Sequence, residues 1–151
     1  MDMARPDSAE RSGRGTLVLG IETSCDETSA AVVARDAGGS GRILSNVVRA
    51  QWEEHRRYGG VVPEIAARAH VECLDEIIGE AMREAGADFP DLAAVAVTAG
   101  PGLIGGLLVG VATAKTIALV HDLDFVAVGI TKIDGMRNFV ILKMEFNTAL
   151  F

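Results

Sequence analysis

The chain has only two cysteines in 151 residues, Cys25 and Cys73. That is too few for a disulfide framework, so structural thiols in a reducing, cytoplasmic setting are expected. Basic residues are also short, with Lys and Arg totalling 14 against 21 for Asp and Glu, a net charge of -7. Phosphate contacts need clustered cations, so a freestanding nucleic-acid binder is excluded: DNA is not expected as a partner, and any RNA would have to be held with outside help. Aromatics make up 5% of the chain, and the one tryptophan, Trp52, is expected to pack rather than stack on a base. No apolar run reaches about 18 residues, and residues 1–15 carry no apolar stretch between their charges. Neither a membrane span nor a secretory leader is therefore expected, and residues 1–15 are expected to be a disordered extension.

Apolar residues are plentiful, at 49% against 23% charged, enough for one domain with its own core. Short apolar runs at 16–21, 30–33 and 43–48 predict a three-stranded meander, with Asp36 to Gly41 as a turn. Pro63 suits the first turn of a helix in which Ile65, Ala69, Cys73, Ile77 and Ala81 recur every fourth residue and Gly86 closes the end. Residues 92–97 predict a fourth strand and residues 125–128 a fifth. Between them, residues 103–119 predict a helix so poor in charge that burial on most sides is expected. This order predicts an α/β fold, a mixed sheet with helices on its faces. It matches the ribonuclease H-like core of actin-like and sugar-kinase ATPases, with residues 16–128 as one lobe. Residues 129–151 differ in character: Lys, Asn, Phe and Met occur 9 times there and 7 times in residues 1–128. This divergent tail could cover a sheet edge.

Three constellations could carry chemistry. After the first strand stand Glu22, Thr23, Ser24, Asp26, Glu27 and Thr28, more polar groups than a turn needs, each costly to desolvate without a partner. Thr23, Ser24 and Thr28 suit a phosphate or carboxylate. Asp26 and Glu27 would repel one, so a water, a cation or an incoming amine should intervene, and one of these carboxylates could be a general base. The second constellation is a loop expected from Glu53 to Glu64, where His55, Tyr58, Gly59 and Gly60 are candidates for substrate contact before a helix N-terminus. The third is Thr98 to Gly106, where Thr98, Gly100 and Gly102 would let backbone approach a ligand. Gly100, Gly102 and Gly105 also spell a dinucleotide fingerprint, but after the fourth strand instead of the first, with Asp122 and Asp124 ahead of the fifth. Ala114 breaks the phosphate-loop pattern before Lys115.

Together, Gly20 to Thr28 (GIETSCDET), Tyr58 to Glu64 (YGGVVPE) and Thr98 to Gly110 (TAGPGLIGGLLVG) resemble the signatures of the TsaD/Gcp family, in order and spacing, over roughly Thr16 to Val128. Members of that family, formerly called O-sialoglycoprotein endopeptidases, transfer threonylcarbamoyl from its adenylate to the N6 amine of adenine 37 of tRNA. The resemblance implies a two-lobed actin-like fold, a divalent metal (iron or zinc) and an adenylate or ATP-like ligand between the lobes. It also implies a TsaB-like paralogous subunit and an ATPase subunit as partners, with tRNA reached through that complex. Asp26 and Glu27 match the acidic pair of the first motif: Asp26 is expected near phosphate or a metal-bound water, and Glu27 is expected to orient or deprotonate the amine.

The family's paired metal histidines would fall at Ile130 and Asp134, or at Lys132 and Met136, and no histidine follows His121. This chain alone is therefore expected to bind no metal or other cofactor and to have little transferase activity. A noncatalytic assembly module that binds the TsaB-like subunit is the alternative, motivated by the two apolar helical stripes. A fragment of an actin-like or sugar-kinase ATPase is a third reading, one that Cys25-Asp26-Glu27 fits poorly.

Overall fold

A computed structural model describes residues 15–129. The expected disordered extension and the divergent tail lie, except for Gly15 and Gly129, outside the described residues. The element order is β1 (Thr16–Glu22), β2 (Glu27–Arg35), β3 (Gly41–Ala50), α1 (Trp52–Arg56), α2 (Pro63–Ala85), a 3-10 turn (Phe89–Asp91), β4 (Leu92–Gly100), α3 (Ile104–His121) and β5 (Asp124–Gly129). The five strands form one sheet in the order β3-β2-β1-β4-β5. The meander pairs antiparallel, whereas β1–β4 and β4–β5 pair parallel, so β1 is central. This is the mixed ribonuclease H-like sheet expected of an actin-like lobe.

Both long helices lie on one face of the sheet. The main core joins Leu17, Leu19 and Ile21 of β1, Ala30 and Val32 of β2 and Val95 and Val97 of β4 to Cys73, Leu74, Ile77 and Ile78 of α2 and Ala114 of α3. On the opposite face Val18, Ala94 and Ala96 form a smaller cluster with half-buried Val33, Val126 and Val128.

Pro63 does open α2, and Gly86 ends it in the left-handed region at φ +60, with the Ala87 N–H bonded to the Met82 carbonyl at 3.1 Å. The expected stripe is buried at Cys73, Ile77 and Ala81 and differs only at its start. Ile65 and Ala69 are only half-buried, and the first inward positions are Ala66 and His70. Two further expectations are corrected. Residues 52–56 are helical rather than loop, and Trp52 is 76% exposed instead of packed. A helix of one turn has one inward row, and Gln51 and His55, four apart, occupy it.

Helix α3 is not buried on most sides. Its inward residues are Gly106, Gly110, Ala114 and Ala118, every fourth position, while Ile104, Leu108, Leu119 and Val120 are exposed. A helix apolar all round has no polar face to set its rotation, so close approach decides it, and the smallest residues face inward. At 18 residues and mean hydropathy 1.6, α3 is long and apolar enough to cross a membrane by length and composition alone, which a search for uninterrupted apolar runs misses at Lys115. Here its small-residue row packs toward the sheet and α2.

Candidate functional site

Because β1 and β4 are parallel neighbours, the turns after them open at the same edge of the sheet, where open α/β sheets place ligands. Buried Glu22, the last residue of β1, ties the two together. One carboxylate oxygen accepts the Ser24 N–H at 2.5 Å and the other accepts the Thr98 hydroxyl from β4. The Leu103 N–H donates to the Ser24 carbonyl at 2.7 Å, and the Thr23 hydroxyl donates to the Gly106 carbonyl at 2.8 Å. The acidic corner and the glycine elbow are thus one structure.

Gly102 and Gly106 of the third constellation, with Gly110 one turn beyond, serve that junction. A Cβ at Gly102 would lie 2.6 Å from the Ser24 carbonyl oxygen, one at Gly106 2.3 Å from the Thr23 carbonyl oxygen, and one at Gly110 2.3 Å from Thr23 Oγ1. Close backbone approach was expected to be toward a ligand; at Gly102 it is toward the first turn. Gly100, by contrast, has open space around it.

Three successive carbonyls of the β1–β2 turn are held by three different elements. Ser24 is held by the start of α3, Cys25 by His70 Nε2 of α2 at 3.1 Å, and Asp26 by the Gln51 N–H beside α1 at 2.9 Å. The backbone is anchored on its carbonyl side, while the side chains of Ser24, Asp26 and Glu27 are part-exposed and Cys25 is exposed at the rim. Strand alternation puts Glu27 on the same face as Ser29, which pairs with Glu22. Glu22, Glu27, Ser29 and Thr98 therefore share the face opposite α2 and α3.

Ligand contact expected at Thr23, Thr28 and His55 meets a different geometry. All three are buried, and their polar atoms are already engaged: Thr23 with Gly106, Thr28 Oγ1 with His70 Nδ1 at 2.7 Å, and His55 with Gln51 Oε1 at 3.1 Å and the Val62 N–H at 3.3 Å. Thr98 is also inward, on Glu22. Tyr58 is half exposed, with the Arg57 guanidinium 4.8 Å from its ring centre, and Gly59 beside it adopts φ +69. Gly60 is exposed in the same loop. Ser24, Asp26, Glu27, Tyr58, Gly59 and Gly60 remain open to a ligand. Helices α2 and α3 both begin without a side-chain cap, which leaves N–H groups at the same rim.

Gln51 and His70 were not singled out from the sequence as site residues, and Glu22, counted in the first constellation, was given no role of its own. The one available signal was polarity where burial is expected: a carboxylate ending a buried strand, and a histidine on the inward row of α2. Burial pushes the His70 imidazole below its ordinary 6.5, with the bond to the Cys25 carbonyl and the Glu22 and Asp26 charges opposing. A depressed folded-state value means that the unfolded chain takes up the proton first. Stability should therefore be full above pH 6.5 and decline as pH falls toward the folded value, by at most about 1.4 kcal/mol per pH unit. Urea midpoints from pH 8 to 5 should show this decline, and His70→Gln should flatten it. The Cys25 thiol is raised above its ordinary value, chiefly by burial and then by its bond to Asp26, so it is a poor nucleophile at neutral pH.

The sequence matches the family model for TsaD, tRNA N6-adenosine threonylcarbamoyltransferase, over residues 42–136. The chain belongs to this family. It is 60% identical over 134 residues to the tRNA N6-adenosine threonylcarbamoyltransferase of Bradyrhizobium sp. (strain BTAi1), covering 89% of this chain and 38% of that one. To the same-named protein of Rhodopseudomonas palustris (strain HaA2) it is 60% identical over 135 residues, with 89% and 37% covered. The chain thus spans less than two fifths of these TsaD relatives. In structure it is similar to YeaZ from Pseudomonas aeruginosa, at 18% identity and TM-score 0.55 over 76% of this chain and 43% of that one. A second protein, described as similar to peptidase YEAZ from the same organism, gives 21% and 0.57 over 76% and 43%. At these identities the likeness concerns the fold.

The divalent metal that the TsaD resemblance implies does not fit the described residues. Among them no three His, Cys, Asp or Glu side chains come together as ligands. His55 and His70 have both ring nitrogens in hydrogen bonds, and His121 stacks on Phe89 with ring centres 4.8 Å apart.

Proposed function

We propose that this chain supplies the first wall of a cleft in which threonylcarbamoyl passes from its adenylate to adenine N6 at position 37 of tRNA. The observation that carries it is the joining of the first and third motifs at one sheet edge by the Glu22–Thr98 and Leu103–Ser24 bonds, in a chain of this family. In the reaction the N6 amine attacks the carbamoyl carbon, an N–C bond forms, and the C–O bond to phosphate breaks with its electron pair leaving on AMP. Glu27, part-exposed on the open face, is the group that receives the amine proton. Asp26 stands toward the phosphate with a water between, since a bare carboxylate against it would cost several kcal/mol at low dielectric. Tyr58, Gly59 and Gly60 flank the ligand, in a cytoplasmic complex with a TsaB-like subunit and an ATPase subunit that together bring the tRNA.

One wall positions but does not enclose, so the 151-residue chain alone has little or no transfer activity and holds no cofactor. Cells depleted of their own enzyme test this. Expression of the chain should not restore the modified nucleoside, whereas a full-length relative whose first lobe is replaced by residues 16–128 should. Restoration by the chain alone, or none by the hybrid, overturns the proposal.

A second reading, a noncatalytic module that binds the TsaB-like subunit, is favoured by the exposed Ile104, Leu108, Leu119 and Val120 on α3. Co-purification of the chain with that subunit supports it, and a monodisperse monomer in the subunit's presence removes it.

A further inference from the structure

Between the β1–β2 turn and the loop before α2 runs an unbroken file of polar groups whose side chains, Gln51, His55 and His70, are buried. The Val62 N–H meets His55 Nδ1 at 3.3 Å, and His55 Nε2 meets Gln51 Oε1 at 3.1 Å. Gln51 Nε2 meets His70 Nδ1 at 3.2 Å, and His70 Nε2 meets the Cys25 carbonyl at 3.1 Å. Its ends fix where the protons sit. A backbone N–H can only donate, so His55 Nδ1 accepts and His55 Nε2 carries the hydrogen given to Gln51 Oε1. The Gln51 amide then turns its nitrogen to His70, and also to the Ala66 carbonyl at 3.4 Å. At the far end a carbonyl can only accept, so His70 Nε2 carries the hydrogen, and His70 Nδ1 receives from Gln51 and from the Thr28 hydroxyl. Both ends independently demand the same orientation of Gln51. Every donor points one way, from Val62 to Cys25.

We infer that His70 is a positioning residue: through Gln51 and His55 it locks the acidic turn and the 58–62 loop into one unit, provided that both imidazoles are neutral with hydrogen on Nε2. The inference rests on the functional reading only in taking those two segments as the rim of the site. A second proton would have to go to His70 Nδ1, where it meets the Gln51 NH2 donors and leaves only the Thr28 oxygen as acceptor. The groups facing the ring are Glu22 from the end of β1, Cys25 and Asp26 from the turn, Thr28 from β2, His55 and Gln51 from α1 and its cap, and Cys73 one turn along α2. Helix α3 meets the ring edge with Gly106, which has no side chain. The Glu22 and Asp26 charges favour a protonated ring through space, against its burial, but the groups bonded at Nδ1 are Gln51 and Thr28 and neither is a carboxylate. Bonds in such a directed file polarise one another, so loss at one link weakens the next.

Imidazole nitrogen shifts of the uniformly 15N-labelled 151-residue chain, read through long-range couplings at pH 7.5, test this without any substitution. His55 and His70 should each show a protonated Nε2 and an unprotonated Nδ1, and finding the other tautomer in either ring overturns the inference. On acidification the backbone amides of Val62 and Asp26 should shift together with one midpoint, that of the His70 ring. In Gln51→Met, which keeps the volume and removes the link, Val62 should no longer follow that midpoint while Asp26 still does. Independent midpoints in the unsubstituted chain, or a Val62 response at the His70 midpoint that survives Gln51→Met, overturn it. If that variant fails to fold, the tautomers and the shared midpoint still decide. None of these signals involves transfer activity, so failure here and failure of the functional proposal are distinguishable.

Discussion

Gly106→Ala is expected to cost the chain about 3 kcal/mol, and Gly106→Val to leave no folded state. In an ordinary helix interior the alanine substitution gains up to about 1 kcal/mol because it removes backbone freedom from the unfolded chain. Here the new Cβ would lie 2.3 Å from the Thr23 carbonyl oxygen and also within 3.3 Å of His70 ring atoms. Backbone and a buried ring cannot yield as the tip of a flexible side chain would, so overpacking of 1 to 3 kcal/mol or more applies. Displacing α3 also breaks the Thr23–Gly106 hydrogen bond, and the stranded, buried hydroxyl adds roughly 1 to 3 kcal/mol. Gly79 on α2 supplies the opposite case. Nothing lies within 4 Å of its Cβ position, so Gly79→Ala should stabilise by about 0.5 to 1 kcal/mol. Urea unfolding followed by circular dichroism compares the two directly, and equal stability of the two alanine variants would contradict the packing described for α3.

In a full-length relative carrying residues 16–128, Glu27→Gln should lower kcat by about 10²- to 10⁴-fold, the range that a lost general base commands. KM and thermal stability should change little, since Glu27 is part-exposed at the start of β2. Glu22→Gln should do the reverse. Its carboxylate accepts from both the Ser24 N–H and the Thr98 hydroxyl, so an amide presents a donor to one of them and costs about 1 to 3 kcal/mol of stability. Rates and melting temperatures of the pair separate a group that takes a proton from one that holds the corner shut. If Glu27→Gln retains full kcat, Glu27 is not the base.

The order of the elements along the chain and both ends of α2 were legible because they rest on local patterns: apolar runs, a proline at the first helical turn and a glycine just past the last one. The rotation of α3 was not legible, because a helix apolar on every side has no contrast for periodicity to detect. Trp52 misled for the opposite reason, since a large apolar side chain is assigned to packing unless a neighbour claims the inward row, and Gln51 and His55 claim it only once residues 52–56 are seen to be helical. The hydroxyls of Thr23 and Thr28 looked like ligand donors because sequence shows polarity without direction; their partners, Gly106 and His70, lie 83 and 42 residues away. Asp26 and Glu27 are part-exposed beside these threonines.

The turn whose three carbonyls are gripped by three elements also bears on the order in which the molecule folds. Closing it requires partners from α1, α2 and α3, so it cannot be completed by the meander alone and must wait for ordering of the 78 residues between Ser24 and Leu103. Amide hydrogens in that turn should gain protection only when the whole lobe does, which makes their exchange a gauge of global rather than local opening.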